Sequence, residues 1–275
     1  MELGLRGRVA VVTGGSMGIG KACVEALAGQ GVRVATCARG IESLREVSEE
    51  IASKTETEVL AVQADVTKSE DVKRFITAAY QKFGRIDILL NNAANFASGD
   101  FAELTDENWW NHFNTKVVGY VRFTREVLPY MRERKWGRVM NVVGSAARGG
   151  GGGSAGPTNA ALINFTKVLS DEVAHEGITV NAIHPAGQGV LPGARSLVPR
   201  KGGWAMRLEE YAKRRGVPVE QARAEAMQRA QEQTGPHAEA EDTGSMVLFL
   251  SSDRAAAITG QTLAVRGAGQ AGVFY

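Results

Sequence analysis

The 275-residue chain predicts an α/β fold, a doubly wound, parallel, seven-stranded sheet with helices on both faces. Three observations predict it. Short β-branched runs alternate with longer amphipathic stretches, the rhythm of strand–helix–strand units. The strand candidates are apolar on both sides, as strands covered by helices on both faces must be. Glycine is abundant, 33 of 275 residues against a usual share of about 7%. It has no collagen-like period and marks tight turns or close approaches of backbone to a ligand.

The elements follow in order. Strands are expected at residues 8–13 (RVAVVT), 32–37 (VRVATC), 59–64 (VLAVQA), 86–91 (IDILLN), 138–143 (RVMNVV), 179–183 (TVNAI) and 261–265 (QTLAV). Helices are expected near 18–30, 41–54, 69–83, 105–133, 156–175 and 239–251. Thr105 before Asp106 and Glu107 is a helix start carrying the charge its dipole favours. Leu162, Phe165, Leu169 and Val173 step by three and four residues, which is one helix face. Residues 187–236 break the rhythm with Pro192, Pro199, Pro218 and Pro236 and two helical pieces, near 203–215 and 218–233. This insertion is expected to form a helical lid over the carboxyl edge of the sheet, or a flap against a neighbouring subunit. One domain, 1–275, is expected.

Composition excludes several classes. A net charge of +2, from 32 basic and 30 acidic residues, leaves no electrostatic footprint for nucleic acid or a membrane surface. The basic run at 132–138 reads as a solvated helix end. Cys23 and Cys37 are the only cysteines, so neither a disulfide framework nor a CxxC metal pair is expected. No apolar stretch approaches a membrane span. The N-terminus, MELGLRGRVAVVTGG, is too short and too glycine-broken for a signal peptide, so the expected location is cytoplasmic.

Chemistry enters at residues 9–20, VAVVTGGSMGIG. A buried strand runs into Gly14, Gly18 and Gly20, and a helix begins near Lys21. Glycine lets backbone N–H groups approach a phosphate, and the helix N-terminus adds positive dipole charge. Two other motifs overlap this turn. Gly15–Gly20–Lys21 is nearly a P-loop, but Ala22 stands where a magnesium-binding hydroxyl belongs. Gly14–Gly18 also fits GxSxG around Ser16, yet a nucleophile elbow follows several strands and this one follows the first. A second GxSxG match, 152–156, follows a glycine run.

The TGGSMGIG spacing at 13–20 resembles the short-chain dehydrogenase/reductase family, whose fingerprint is TGxxxGxG on a Rossmann-type sheet. Asp65 after the third strand, the run Asn91-Asn92-Ala93-Ala94, Asn114 in the fourth helix and Ile258-Thr259-Gly260-Gln261 before the last strand agree with it. The resemblance spans about residues 5–268. It implies a dinucleotide held by Gly14, Ser16, Met17, Gly18, Ile19, Gly20, Arg39, Asp65, Val66, Asn92, Ala93, Ala94 and Pro185. The second strand ends Thr36-Cys37-Ala38-Arg39, with no carboxylate for a ribose 2′-hydroxyl. A guanidinium suits a 2′-phosphate, so NADP(H) is expected over NAD(H).

The resemblance also implies a catalytic Asn, a Ser, and a Tyr and Lys spaced YxxxK. Here the sequence departs. The Tyr and Lys positions fall on Ala155 and Asn159. No tyrosine occurs between Tyr130 and Tyr211, and no lysine between Lys135 and Lys167. The remaining catalytic candidates are Asn114, Ser145, Asn159 and His184, whose imidazole ends the sixth strand. Ser154 is expected to cap a helix, and Lys116 to point to another helix face than Asn114. His112, Trp109 and Trp110 are expected to pack or to cover. The run 149–153 lets backbone amides bind an oxyanion, or serves as an unused loop.

Three functions stay open. One is an oxidoreductase acting on a carbonyl or alcohol of a small to mid-sized organic molecule through an atypical site. The second is a lyase, isomerase or dehydratase on the same scaffold. The third is a catalytically silent subunit paired with an active paralogue. A homodimer or homotetramer is expected, or a mixed oligomer, with no metal.

Overall fold

Strand β1 (Val9–Thr13) runs through a glycine turn into α1 (Gly18–Gly29). There follow β2 (Arg33–Ala38), α2 (Ile41–Thr55), β3 (Val59–Gln63), α3 (Ser69–Phe83) and β4 (Ile88–Asn91). Helix α4 (Asp106–His112) passes through a π-helical segment, Phe113–Val118, into α5 (Gly119–Arg134). The chain continues with β5 (Gly137–Val142), α6 (Ala155–Val173), β6 (Ile178–His184), α7 (Ala240–Ser251) and β7 (Thr262–Ala264). This is a computed structural model, and it describes residues 2–95, 101–144, 153–185, 212–213, 215–222, 224–225 and 238–265. Most of the expected lid, 187–236, lies outside the described residues.

The seven strands form one parallel sheet in the order β3-β2-β1-β4-β5-β6-β7. The winding reverses between β1 and β4. At such a switch point the loops leave a crevice outside the carboxyl ends of the strands, where ligands bind in doubly wound sheets.

Alternate strand residues feed two cores. Val9, Val11, Ala35, Leu89, Val139 and Val180 meet α3, α5 and α6 on one face. Ala10, Val12, Val34, Leu90, Met140 and Ile183 meet α1 and α7 on the other. Phe75 of α3 and Phe123 of α5 pack with ring centroids 5.8 Å apart. Each large apolar side chain so buried contributes about 1.5–3 kcal/mol.

Some local expectations change. Thr105 caps α4, accepting the Asn108 N–H, and Asn108 returns the bond. The single helix expected over 105–133 is interrupted by the π segment. Arg138 is not part of a solvated helix end. It is buried, with its guanidinium 4.2 Å from the Trp136 ring and paired with Asp253. Arg8 stacks on the same indole at 3.7 Å. Trp110 stands 72% exposed.

No helix among the described residues is long and apolar enough to cross a membrane.

Candidate active site

The carboxyl edge of the sheet gathers the nominated residues. The turn after β1 is locked to the segment after β4. Thr13 Oγ1 accepts the N–H groups of both Asn92 and Ala93 at 2.9 Å. The Asn92 side-chain amide donates to the carbonyls of Thr13 (2.9 Å) and Gly14 (3.1 Å). Gly14 N–H donates to Cys37 of β2 at 2.8 Å. Its φ of +75° is one that side-chain-bearing residues rarely adopt. At Gly20 an added Cβ would overlap the Gly14 carbonyl and stand 2.6 Å from the Asn92 amide. Asn92 and Ala93 thus spend their polar groups on shaping the turn.

Helix α1 opens at Gly18 without a side-chain cap; Met17 before it is exposed, and Ile19 is buried in the core. Its leading N–H groups therefore face the crevice uncapped, the arrangement that receives phosphate. The turn thus has the shape and dipole a pyrophosphate needs. Ser16 is half-buried beside it, and Ala94 is exposed after β4.

The next strand ends supply Arg39 and Asp65. Arg39 is exposed after β2, and its carbonyl accepts from Gln63 Nε2 at 2.9 Å. Asp65 accepts from Thr67 N–H (2.9 Å) and Thr67 Oγ1 (2.7 Å). Burial pushes its carboxyl up, but the Thr67 bonds and the charges of Arg39 and Lys68 outweigh this and hold it below the ordinary range. Val66 turns its carbonyl to Arg122 Nη1 at 3.3 Å, and the same nitrogen reaches the Asn114 carbonyl at 3.3 Å. Arg122 therefore straps the π segment, where Asn114 sits, to the loop after β3. Single wide turns of this kind recur at functional sites.

The other side of the crevice is built by β5, β6 and α6. Asn159 is buried; its Oδ1 accepts Gly144 N–H at 2.8 Å, and its Nδ2 donates to the Ala155 carbonyl at 2.7 Å. It pins the first turn of α6 to the end of β5. Ala155 offers only a methyl group. His184 is buried at the end of β6, its carbonyl accepting Val265 N–H at 2.8 Å, and Pro185 follows. Ser145 and the glycine run at 149–152 lie outside the described residues.

Ser154 does not cap α6 with its side chain. Its hydroxyl instead lies 2.7 Å from His112 Nδ1, while Thr158 Oγ1 lies 3.5 Å from the other ring nitrogen. His112 is held down to about 4, first by burial and then by the charge of Lys116. Lys116 is itself buried, and burial lowers its amine to about 8. Neither His112 nor Lys116 was a sequence candidate. Their four-residue spacing was the available signal, and it resembles ordinary helix packing.

A parallel sheet wound both ways, with a glycine turn at its switch point, defines a Rossmann-type nucleotide-binding protein. The chain belongs to the short chain dehydrogenase family, whose model matches residues 8–190. A putative ketoacyl reductase of Streptomyces coelicolor is 34% identical over 94% of this chain and 95% of its own. The 3-oxoacyl-acyl-carrier-protein reductase FabG of Escherichia coli is 30% identical over 96% and 98%. Among solved structures, L-sorbose reductase of Gluconobacter frateurii, complexed with NADPH and L-sorbose, superposes with a TM-score of 0.83. It is 30% identical, with 98% of both chains covered. A variant of actinorhodin polyketide ketoreductase with NADPH gives 0.79 at 32% identity, covering 94% of this chain and 96% of its own.

Proposed function

We propose that the protein is an NADP(H)-dependent oxidoreductase with an atypical active site, acting on a carbonyl or alcohol of a small to mid-sized organic molecule. The observation that carries this reading is the glycine turn, built against Thr13 and Asn92 and leading into the uncapped start of α1. Gly14, Gly18 and Gly20 would hold the pyrophosphate, with Ser16, Met17 and Ile19 alongside. Asp65, Val66 and Ala94 would line the adenine end, and Arg39 would take the 2′-phosphate. Pro185 would border the nicotinamide end. When bound, the dinucleotide supplies or accepts a hydride. The ketoacyl and ketose reductases among the relatives support a ketone-bearing substrate.

The chain's own residues do the rest. Asn159 keeps the α6 start in place at the floor of the crevice. Asn114, Ser145 and His184 are the groups set to orient or protonate the reacting oxygen. With Ala155 and Asn159 in the Tyr and Lys positions, the proton must come from elsewhere. A positioned acid is worth about 10²–10⁴ in rate. The same two residues favour a second reading, a silent subunit assembling with an active paralogue. A homodimer or homotetramer is the expected assembly in the first case.

A thermal-shift titration tests the cofactor. A ligand at 100 times its Kd stabilises by about 2.7 kcal/mol. NADPH should therefore raise the melting temperature by several degrees, and NADH by less. Gly20→Ala should abolish the shift, because the new methyl group displaces the Gly14 carbonyl. No shift with any dinucleotide overturns the reading.

A further inference from the structure

Arg122, in the first turn of α5, joins two parts of the crevice that come from different strands. Its Nε donates to Ser69 Oγ at 3.2 Å, at the start of α3. Its Nη1 donates to the Val66 carbonyl, in the loop after β3, and to the Asn114 carbonyl, in the π segment, each at 3.3 Å. Among the described residues, the hydrogen bonds between the stretches 65–69 and 113–122 all come from this one side chain.

Both ends of the link are built to carry a displacement. The loop is tied to itself. Asp65 N–H donates to Asp71 Oδ2 at 2.9 Å, Lys68 N–H donates to the Asp65 carbonyl at 3.0 Å, and the Asp65 carboxylate holds Thr67. A push on Asp65 therefore moves Val66 with it. The start of α5 lies directly on this loop, since a Cβ at Gly119 would stand 3.4 Å from both the Val66 carbonyl oxygen and its Cγ2. At the other end, the Asn114 carbonyl accepts the Gly119 N–H, five residues on, which is the bond that makes the turn wide. The guanidinium takes the carbonyl's second lone pair with a charged donor. A side chain inserted into the ladder is one cause of local departures from the α-helix. Arg122 thus favours the wide form of the turn that carries Asn114.

We propose that Arg122 is a positioning residue: it holds the wide turn at Asn114 and transmits to it whether the adenine end of the crevice is filled. The proposal rests on the nucleotide-binding reading above, in which Asp65 and Val66 line that end. An adenine seated there fixes the loop. The loop fixes the guanidinium through Val66 and Ser69, and the guanidinium fixes Asn114 before any substrate arrives. A lysine could not do the same, because its ammonium is a single point, whereas the planar guanidinium holds both carbonyls and the hydroxyl at once.

The test uses the full chain labelled with ¹⁵N-asparagine and ¹⁵N-valine. It is titrated with adenosine 2′,5′-bisphosphate, which has the adenine end of NADP(H) and no nicotinamide. The Val66 and Asn114 backbone amide signals are assigned by their loss in Val66→Ile and Asn114→Ser. In the wild type both should move, with one midpoint. In Arg122→Met, Val66 should move and Asn114 should stay. Arg122→Lys keeps the charge and should behave as Arg122→Met does. A wild-type Asn114 signal that stays while Val66 moves overturns the proposal, and this arm needs no variant to fold. An Asn114 signal that follows Val66 in either variant overturns it too. So does loss of both movements in the variants, because Arg122 would then serve the loop alone. If neither signal moves in the wild type, it is the nucleotide reading that fails, and the proposal falls with it.

Discussion

At the scale of single residues, His112 makes stability depend on pH in a definite direction. In the unfolded chain an imidazole takes up its proton near 6.5, whereas in the fold it stays neutral down to about 4. Between those values the unfolded state binds more protons, so falling pH draws the equilibrium towards unfolding. The contribution is intact above 6.5 and is lost as pH falls towards 4. The melting temperature of the wild type should therefore drop more steeply over that window than that of His112→Asn. Equal slopes would show that His112 is not the group responsible. The glycine motif was legible in the sequence because a strand, a turn and a helix start are local events. The partner of Ser154 was not, because it lies 42 residues away and the bond exists only once α4 packs on α6. The π turn changes the rotation of every side chain after it, and no short sequence pattern announces it.

At the scale of elements, the amino edge of the sheet is held by one carboxylate. Asp87, fully buried before β4, accepts the Val9 N–H at 2.8 Å and a two-pronged bond from Arg85 at 2.7 and 2.6 Å. Arg8 stands 3.6 Å from the same group. Removing one partner of a buried pair typically costs about 3–5 kcal/mol. Asp87→Ala should lower the urea midpoint accordingly, and a loss below 1 kcal/mol, about the value of an exposed pair, would contradict this account. Among the described residues before and after the expected lid, strand and helix ends were legible to within one or two residues, the π segment inside 105–133 apart, since apolar runs and amphipathic stretches differ in period. What periodicity could not show was how an arginine is buried. Arg138 lies in β5 as expected, and its burial rests on Trp136, two residues before it, and on Asp253, 115 residues after it.

At the scale of the whole molecule, alternating strands and helices implied a parallel sheet, and the right-handed crossovers such sheets demand leave few orders for seven strands. Residues 13 and 92, at the ends of β1 and β4, become neighbours because those strands pair. Their union has a kinetic meaning. Thr13 and Asn92 complete the turn with the chain's own hydrogen bonds, so the nucleotide meets a surface whose ordering cost was met during folding. Association should then proceed in one step. In stopped-flow fluorescence with NADPH, the observed rate should climb linearly with nucleotide concentration. A plateau would mean that a slow rearrangement precedes binding. Thr13→Val keeps the shape of the side chain but frees the amides of Asn92 and Ala93, and it should introduce that plateau.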